Sequence, residues 1–192
     1  MVEYGDTLFQ NYISEYVQAS WLTEILYDFG VVNLAYALLD LNWMAVYPFV
    51  PSRFEEEMWG IAFGSGFQVD YLMLRRINMI PEITRAACTI IGAQGTATAD
   101  GKLYHLRTLD WQPTAPVNKY PAIIIYEPTE AGSNTFANIG YLGLVGTFTA
   151  MIKNGITVGE KVMYVKQATD YPENPTYTYL GKPWMYVLRD AA

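Results

Sequence analysis

Ile80-Pro81-Glu82-Ile83-Thr84-Arg85-Ala86-Ala87-Cys88-Thr89-Ile90-Ile91-Gly92-Ala93 is where the chain changes character. Before it, apolar residues recur at spacings of three and four, the period of helices: Ile13, Val17, Trp21 and Ile25, then Leu34, Leu38 and Leu41. Gly30 divides this region, 6–47, into two expected helices. Pro48-Phe49-Val50-Pro51 stops the second. Ser52 is expected to cap a third helix over 52–62, with Glu55, Glu56 and Glu57 in its first turns, where the helix dipole favours acids. Gly64-Ser65-Gly66 breaks it, and a fourth helix is expected over 69–79, ended by Pro81.

After Cys88 the pattern is that of strands. An apolar run covers 88–93, alternation covers 103–111, an Ile-rich run covers 122–126 and a Gly-rich stretch covers 138–146. Further strands are expected over 147–153 and 156–163. Turn signals lie between them at Asp100-Gly101, Pro113, Glu130-Ala131-Gly132-Ser133 and Asn154-Gly155, the last being the strongest hairpin signal. A Pro- and Tyr-rich loop over 171–183 precedes a helix that opens at Trp184. Helices first and an antiparallel sheet second predict an α+β fold, with a helical leader over 1–87 and a sheet-forming part over 88–192. Met185, Leu188 and Arg189 begin a helix that runs out at Ala192, so the expectation is a chain missing its C-terminal half.

Composition excludes several classes of function. The 192 residues are 52% hydrophobic and 16% charged, which is a globular balance with enough chain for one core. Net charge is −7 and basic residues are scattered, so no nucleic-acid footprint exists. One cysteine permits no internal disulfide. Asn174 is followed by Pro175, which blocks the one candidate glycosylation sequon, and Met1-Val2-Glu3-Tyr4-Gly5-Asp6 is no signal peptide. The apolar stretch 29–50 holds Asn33, Asp40 and Asn42, which fits a buried or interfacial helix better than a membrane span.

A lone Cys in an apolar neighbourhood is most simply a small buried hydrophobe. Cys88, however, stands at the boundary between helices and sheet, behind the small pair Ala86-Ala87. A Cys nucleophile needs a base. The single histidine, His105, shares a strand face with Leu103, Arg107 and Leu109, so a Cys88–His105 dyad is one option and a half-exposed strand residue the other. No His-Glu-x-x-His or Cys-x-x-Cys is present, so neither a metal nor a cofactor is expected. Gly64-Ser65-Gly66 is not a full Gly-x-Ser-x-Gly elbow.

Residues 88–111, Cys-Thr-Ile-Ile-Gly-Ala-Gln-Gly-Thr-Ala-Thr-Ala-Asp-Gly-Lys-Leu-Tyr-His-Leu-Arg-Thr-Leu-Asp-Trp, resemble the opening of the catalytic chain in acid ceramidase and its relatives. Those relatives include N-acylethanolamine-hydrolysing acid amidase, the penicillin acyltransferases and the choloylglycine hydrolases. Pro51-Ser52-Arg53-Phe54-Glu55-Glu56-Glu57-Met58-Trp59-Gly60-Ile61-Ala62 resembles the proenzyme helix of that family, and Asn78-Met79-Ile80-Pro81-Glu82 the stretch before its cut. Gly140-Tyr141-Leu142-Gly143 and Gly155-Ile156-Thr157-Val158-Gly159-Glu160-Lys161 resemble its following strands.

The resemblance implies an N-terminal-nucleophile hydrolase with part of an αββα sandwich. The Ala87–Cys88 bond would be cut by Cys88 itself, giving an α/β heterodimer. The freed α-amine, with a reference pKa of about 7.7–8.0, would then act as base for the thiol. By the same resemblance Arg107 would hold the thiolate or the substrate carbonyl, and Asp110 would orient the amine. A flat strand puts those two on opposite faces, so both reach Cys88 only with a bulge near Leu109. Glu160 matches an acidic residue of acid ceramidases, and Tyr141 is a candidate for lining the site. The implied substrate is an N-acyl lipid, with contact to a membrane surface and a lysosomal or secreted location. The family's oxyanion-hole Asn and second Arg fall beyond Ala192, so this piece alone is expected to be inactive. A lipid-binding domain of the same fold and an acyltransferase are the alternatives.

Overall fold

The computed structural model describes residues 31–83, 87–110, 116–153, 155–161 and 181–192. The helix expected before Gly30, the turn at Pro113 and the loop over 171–180 lie outside the described residues. The observed order is α1 (Val31–Val46), a 3-10 turn (Tyr47–Phe49), α2 (Ser52–Gly64), α3 (Tyr71–Ile83), β1 (Ala87–Gly95), β2 (Gly101–Asp110), a 3-10 turn (Pro116–Lys119), β3 (Pro121–Tyr126), β4 (Phe136–Tyr141), β5 (Thr149–Ile152), β6 (Thr157–Gly159) and α4 (Trp184–Asp190). Helices precede antiparallel strands, and the chain is α+β.

Three helix ends differ from the expectation. Pro51, extended at φ −60° and ψ 139°, is the N-cap of α2, and Ser52 is its first helical residue with no side-chain cap. Asp70 starts α3 instead of Val69: its Oδ1 accepts from the Met73 N–H at 2.7 Å, the bond of an N-capping side chain. Pro81 does not stop α3, because it lies in the last turn and α3 runs on to Ile83. There a proline removes one backbone donor but leaves the preceding turns intact. The second helix expected from the N-terminal pattern is present as α1 over 16 residues. Among the described residues no helix is long and apolar enough to cross a membrane. Asp40 of α1 instead binds Arg76 at 2.6 Å and Arg75 at 3.3 Å on α3, and the Arg76 hydrogen bond holds its carboxyl below the usual range.

The strands form a β1–β2 hairpin and a four-stranded antiparallel sheet ordered β3-β4-β5-β6. Of the expected Asn154-Gly155 turn, Asn154 lies outside the described residues, and Gly155, between β5 and β6 at φ 88°, donates its N–H to the Ile152 carbonyl. The strand expected over 147–153 is shorter, because Thr147 leaves the sheet and donates its N–H to the Met185 carbonyl of α4. At Gly146 an added Cβ would lie 2.4 Å from the Met185 Cβ, so only glycine lets the two backbones approach.

The core does not divide at residue 88. Leu39, Trp43, Phe54, Met58, Leu74, Ile77 and Ile80 of the helices are buried in one cluster with Leu144, Val145, Phe148, Met185 and Tyr186. Buried Asn78 ties α3 to the β4–β5 connection. Its Nδ2 donates to the Leu74 and Gly143 carbonyls at 2.9 Å each, and its Oδ1 accepts from the Val145 N–H at 2.9 Å. Glu82 accepts from the Trp184 N–H at 3.0 Å at the start of α4, and burial raises its pKa. One sheet face, with Phe136, Ala150 and Ile152, is buried. On the other, Ile123, Ile125, Ile139 and Met151 are exposed.

Candidate active site

Cys88 sits near the start of β1 and is fully buried. In the hairpin register Cys88 lies opposite Leu109, Ile90 opposite Arg107, and Gly92 opposite His105. These six share one face of the ribbon, since side chains alternate along a strand. That face lies across the end of β6. An added Cβ at Gly159 would come within 3.0 Å of the His105 Cε1 and 3.3 Å of the Ile90 Cδ1, so a bare glycine lets the hairpin pass over the strand. The next residue, Glu160, then reaches the thiol.

Three side chains close on one another. The Cys88 thiol donates to the Glu160 Oε2 at 2.6 Å. The Arg107 Nη2 donates to the Cys88 Sγ at 3.0 Å and to the same Glu160 Oε2 at 3.0 Å. Arg107 and Glu160 side chains are 6% and 8% exposed, so this ion pair is shielded from water and both charges depend on each other. The Arg107 guanidinium also stands 5.0 Å over the Phe148 ring, and its buried Nε has no partner among the described residues. Burial pushes the thiol pKa up from 9.0 to about 11, and the bond to Glu160 pushes the same way, against the pull of Arg107. The thiol is therefore held protonated, with a carboxylate placed to receive its proton.

Of the other residues singled out from the sequence, Asp110 is not with this group. No irregularity occurs at Leu109, and the one register shift of the hairpin lies between Ala93 and Gly95. Asp110 is exposed on the far face, where it accepts from the Thr89 Oγ1 at 3.4 Å and the Thr108 Oγ1 at 3.3 Å. It pairs with Ala87, which places it beside the Ala87–Cys88 peptide, not beside the thiol. Tyr141 packs edge-on to Phe148 at 6.0 Å, and burial raises its pKa. His105 has the strand face expected of it but lies four residues along from the partner of Cys88, roughly 13 Å at the rise of a strand, and its ring fills the space a side chain at Gly159 would need. The side chain of Ala87 lies outside the described residues.

Lys161 follows Glu160 and carries no sequence signal of a site role; its Nζ donates to the Cys88 carbonyl at 2.5 Å. Its charge alone gives no signal, and only the three-dimensional path of the segment after β6 brings it there. Phe148 was missed for a similar reason, since an aromatic in an expected strand is ordinary core. Among the described residues, no group of three or more His, Cys, Asp or Glu side chains could hold a metal ion.

No protein-family model matches the chain. It is similar to protein dcd1B of Dictyostelium discoideum, 34% identical over 170 residues that cover 88% of this chain and 31% of that protein. Protein dcd1A of the same organism is 32% identical over 182 residues, covering 90% of this chain and 38% of that protein. An uncharacterized protein of Archaeoglobus fulgidus is 25% identical over 186 residues, covering 74% of this chain and 31% of that protein. The chain thus spans between 31% and 38% of the length of these curated relatives, and none of the three names states an activity.

Proposed function

We propose that this chain carries the nucleophile of an amidohydrolase acting on a linear, non-peptide C–N bond, with Cys88 exposed by self-cleavage at Ala87–Cys88. The observation that carries the reading is the buried triangle of Cys88, Arg107 and Glu160. A structural cysteine in a core has no need of two charged partners, and burying that ion pair costs free energy unless both charges are well satisfied. The β1–β2 ribbon lying across β6, and the uncovered apolar face of the larger sheet, fit one part of an αββα sandwich.

In the first step the Cys88 Sγ attacks the Ala87 carbonyl carbon, Glu160 takes the thiol proton, and the proton is passed to the departing Cys88 nitrogen. The C–N bond breaks and a thioester joins Ala87 to Sγ. Water then cleaves the thioester, leaving a carboxylate on Ala87, a free thiol and a free α-amine. That amine is no longer tied into the strand and can turn towards Asp110, which lies beside it in register. In turnover the amine serves as base: Sγ attacks the substrate carbonyl, the substrate amine leaves protonated, and water hydrolyses the acyl thioester. Arg107 holds the sulfur in both steps. Because the core joins residues on both sides of the cut, the two products stay together as an α/β heterodimer.

The substrate class is an N-acyl lipid such as a ceramide or an N-acylethanolamine. Exposed Leu41, Met44, Trp59, Phe63 and Phe67 on the helical side suit contact with an acyl chain or a membrane surface, the setting of a lysosomal or secreted enzyme. The test uses the protein as its own cells make it, mixed with an N-acylethanolamine and quenched in acid. A hydroxylamine-sensitive acyl adduct on the Cys88 peptide is expected, absent in Cys88→Ala and retained in His105→Ala. Loss of the adduct in His105→Ala, or an acyl acid released with Cys88→Ala, would overturn the assignment.

A further inference from the structure

Glu160 and Lys161 grip Cys88 from two directions. The Glu160 N–H donates to the Phe148 carbonyl at 2.9 Å, which fixes this segment to a residue of the main core. From that anchor one side chain goes to the thiol at 2.6 Å, and the next goes to the Cys88 carbonyl at 2.5 Å. In the described residues β1 is paired to β2 alone, so its main chain has support on one side only. A residue inside a strand tolerates this, because its neighbours hold it on both sides. The first residue of a chain does not, and termini fray unless tied down.

We propose that Lys161 is a positioning residue: its ammonium clamps the main chain of Cys88, so that thiol and α-amine keep their places once the bond to Ala87 is gone. The clamp rests on Cys88 being the nucleophile, but the contact itself is present in the uncut chain. A charged donor to a carbonyl is stronger than a neutral one, which is why lysine serves here. Methionine keeps the apolar stem and removes the donor, whereas arginine keeps a donor and charge.

Cys88 is the one thiol of the chain, so alkylation followed by intact mass reports on it alone. The experiment compares the parent with Lys161→Met, Lys161→Arg and Lys153→Met, the last an exposed lysine at the end of β5. Iodoacetamide labelling at pH 8 is timed, and the urea midpoint is measured for each. Lys161→Met is expected to label about tenfold faster, equal to about 1.4 kcal/mol of easier local opening, with an unchanged urea midpoint. Lys161→Arg and Lys153→Met are expected to match the parent. Labelling of Lys161→Met within about twofold of the parent would overturn the clamp, as would a midpoint that falls in step with labelling, since that marks general destabilisation. None of these readings depends on self-cleavage. A chain that labels as expected yet never cuts itself would count against the amidase reading and leave the clamp standing.

Discussion

Glu160→Gln should turn Cys88 from a protonated thiol into a reactive one. The Glu160 Oε2 lies 2.6 Å from the sulfur, and its negative charge opposes formation of a thiolate. Even at the dielectric of water a unit charge at that distance is worth about 1.6 kcal/mol, or about 1.2 pKa units. Arg107, freed of its carboxylate partner, adds to the effect by drawing the thiolate more strongly. The assay is the iodoacetamide rate of Cys88 against pH from 6 to 11, with circular dichroism confirming the fold. In the parent the profile should rise with a midpoint near the thiol pKa of about 11. In Glu160→Gln the midpoint should fall by about one unit or more, and the rate at pH 8 should rise about tenfold. An unchanged midpoint would refute the reasoning, and so would a rate raised equally at every pH, because that reports opening of the site and not charge. The same shift fixes the sign of the stability effect. The folded thiol keeps its proton above the ordinary value of 9.0, so its contribution is intact below pH 9 and is lost as pH rises towards about 11.

Three further outcomes follow from the packing. Asn78→Ala removes three hydrogen bonds, each 2.9 Å long, and leaves the Val145 N–H and Gly143 carbonyl buried, so chemical denaturation should show a loss of about 3 kcal/mol. Gly146→Ala would put a methyl 2.4 Å from the Met185 Cβ, and urea unfolding should show roughly 1–3 kcal/mol of destabilisation. Glu82→Gln should raise the melting temperature at pH 7, because burial raises the Glu82 pKa and penalises its charge, while glutamine can still accept from the Trp184 N–H. That gain should shrink as the pH is lowered and Glu82 itself takes up a proton.

How much of this was legible in the sequence differs by element. The change from a three-and-four period to strand patterning placed the start of β1 to within one residue, and the Asn154-Gly155 signal fell between β5 and β6, because both signals are local. Pro81 misled, since a proline stops a helix only where a turn would follow it, and the sequence does not show where the last turn falls. Arg107 and Glu160 lie within hydrogen-bond reach of Cys88 although they are 19 and 72 residues away; only the resemblance pointed to them, since no local pattern links residues so far apart. The bulge needed to bring Asp110 to the same face is absent, and a strand's period of two then sends it to the other side. Lys161 and Asn78 act through main-chain groups of residues distant in sequence, which no pattern along the chain records.

The central claim is that Cys88 becomes a chain terminus. Trypsin acts after Arg85 and Lys102, so digestion of the protein as its own cells make it separates two outcomes by mass. Self-cleavage predicts a peptide that begins with a free α-amine at Cys88 and ends at Lys102, and its disappearance in Cys88→Ala returned to the same host. A digest that yields only the peptide from Ala86 to Lys102, with the Ala87–Cys88 bond intact, would contradict the account.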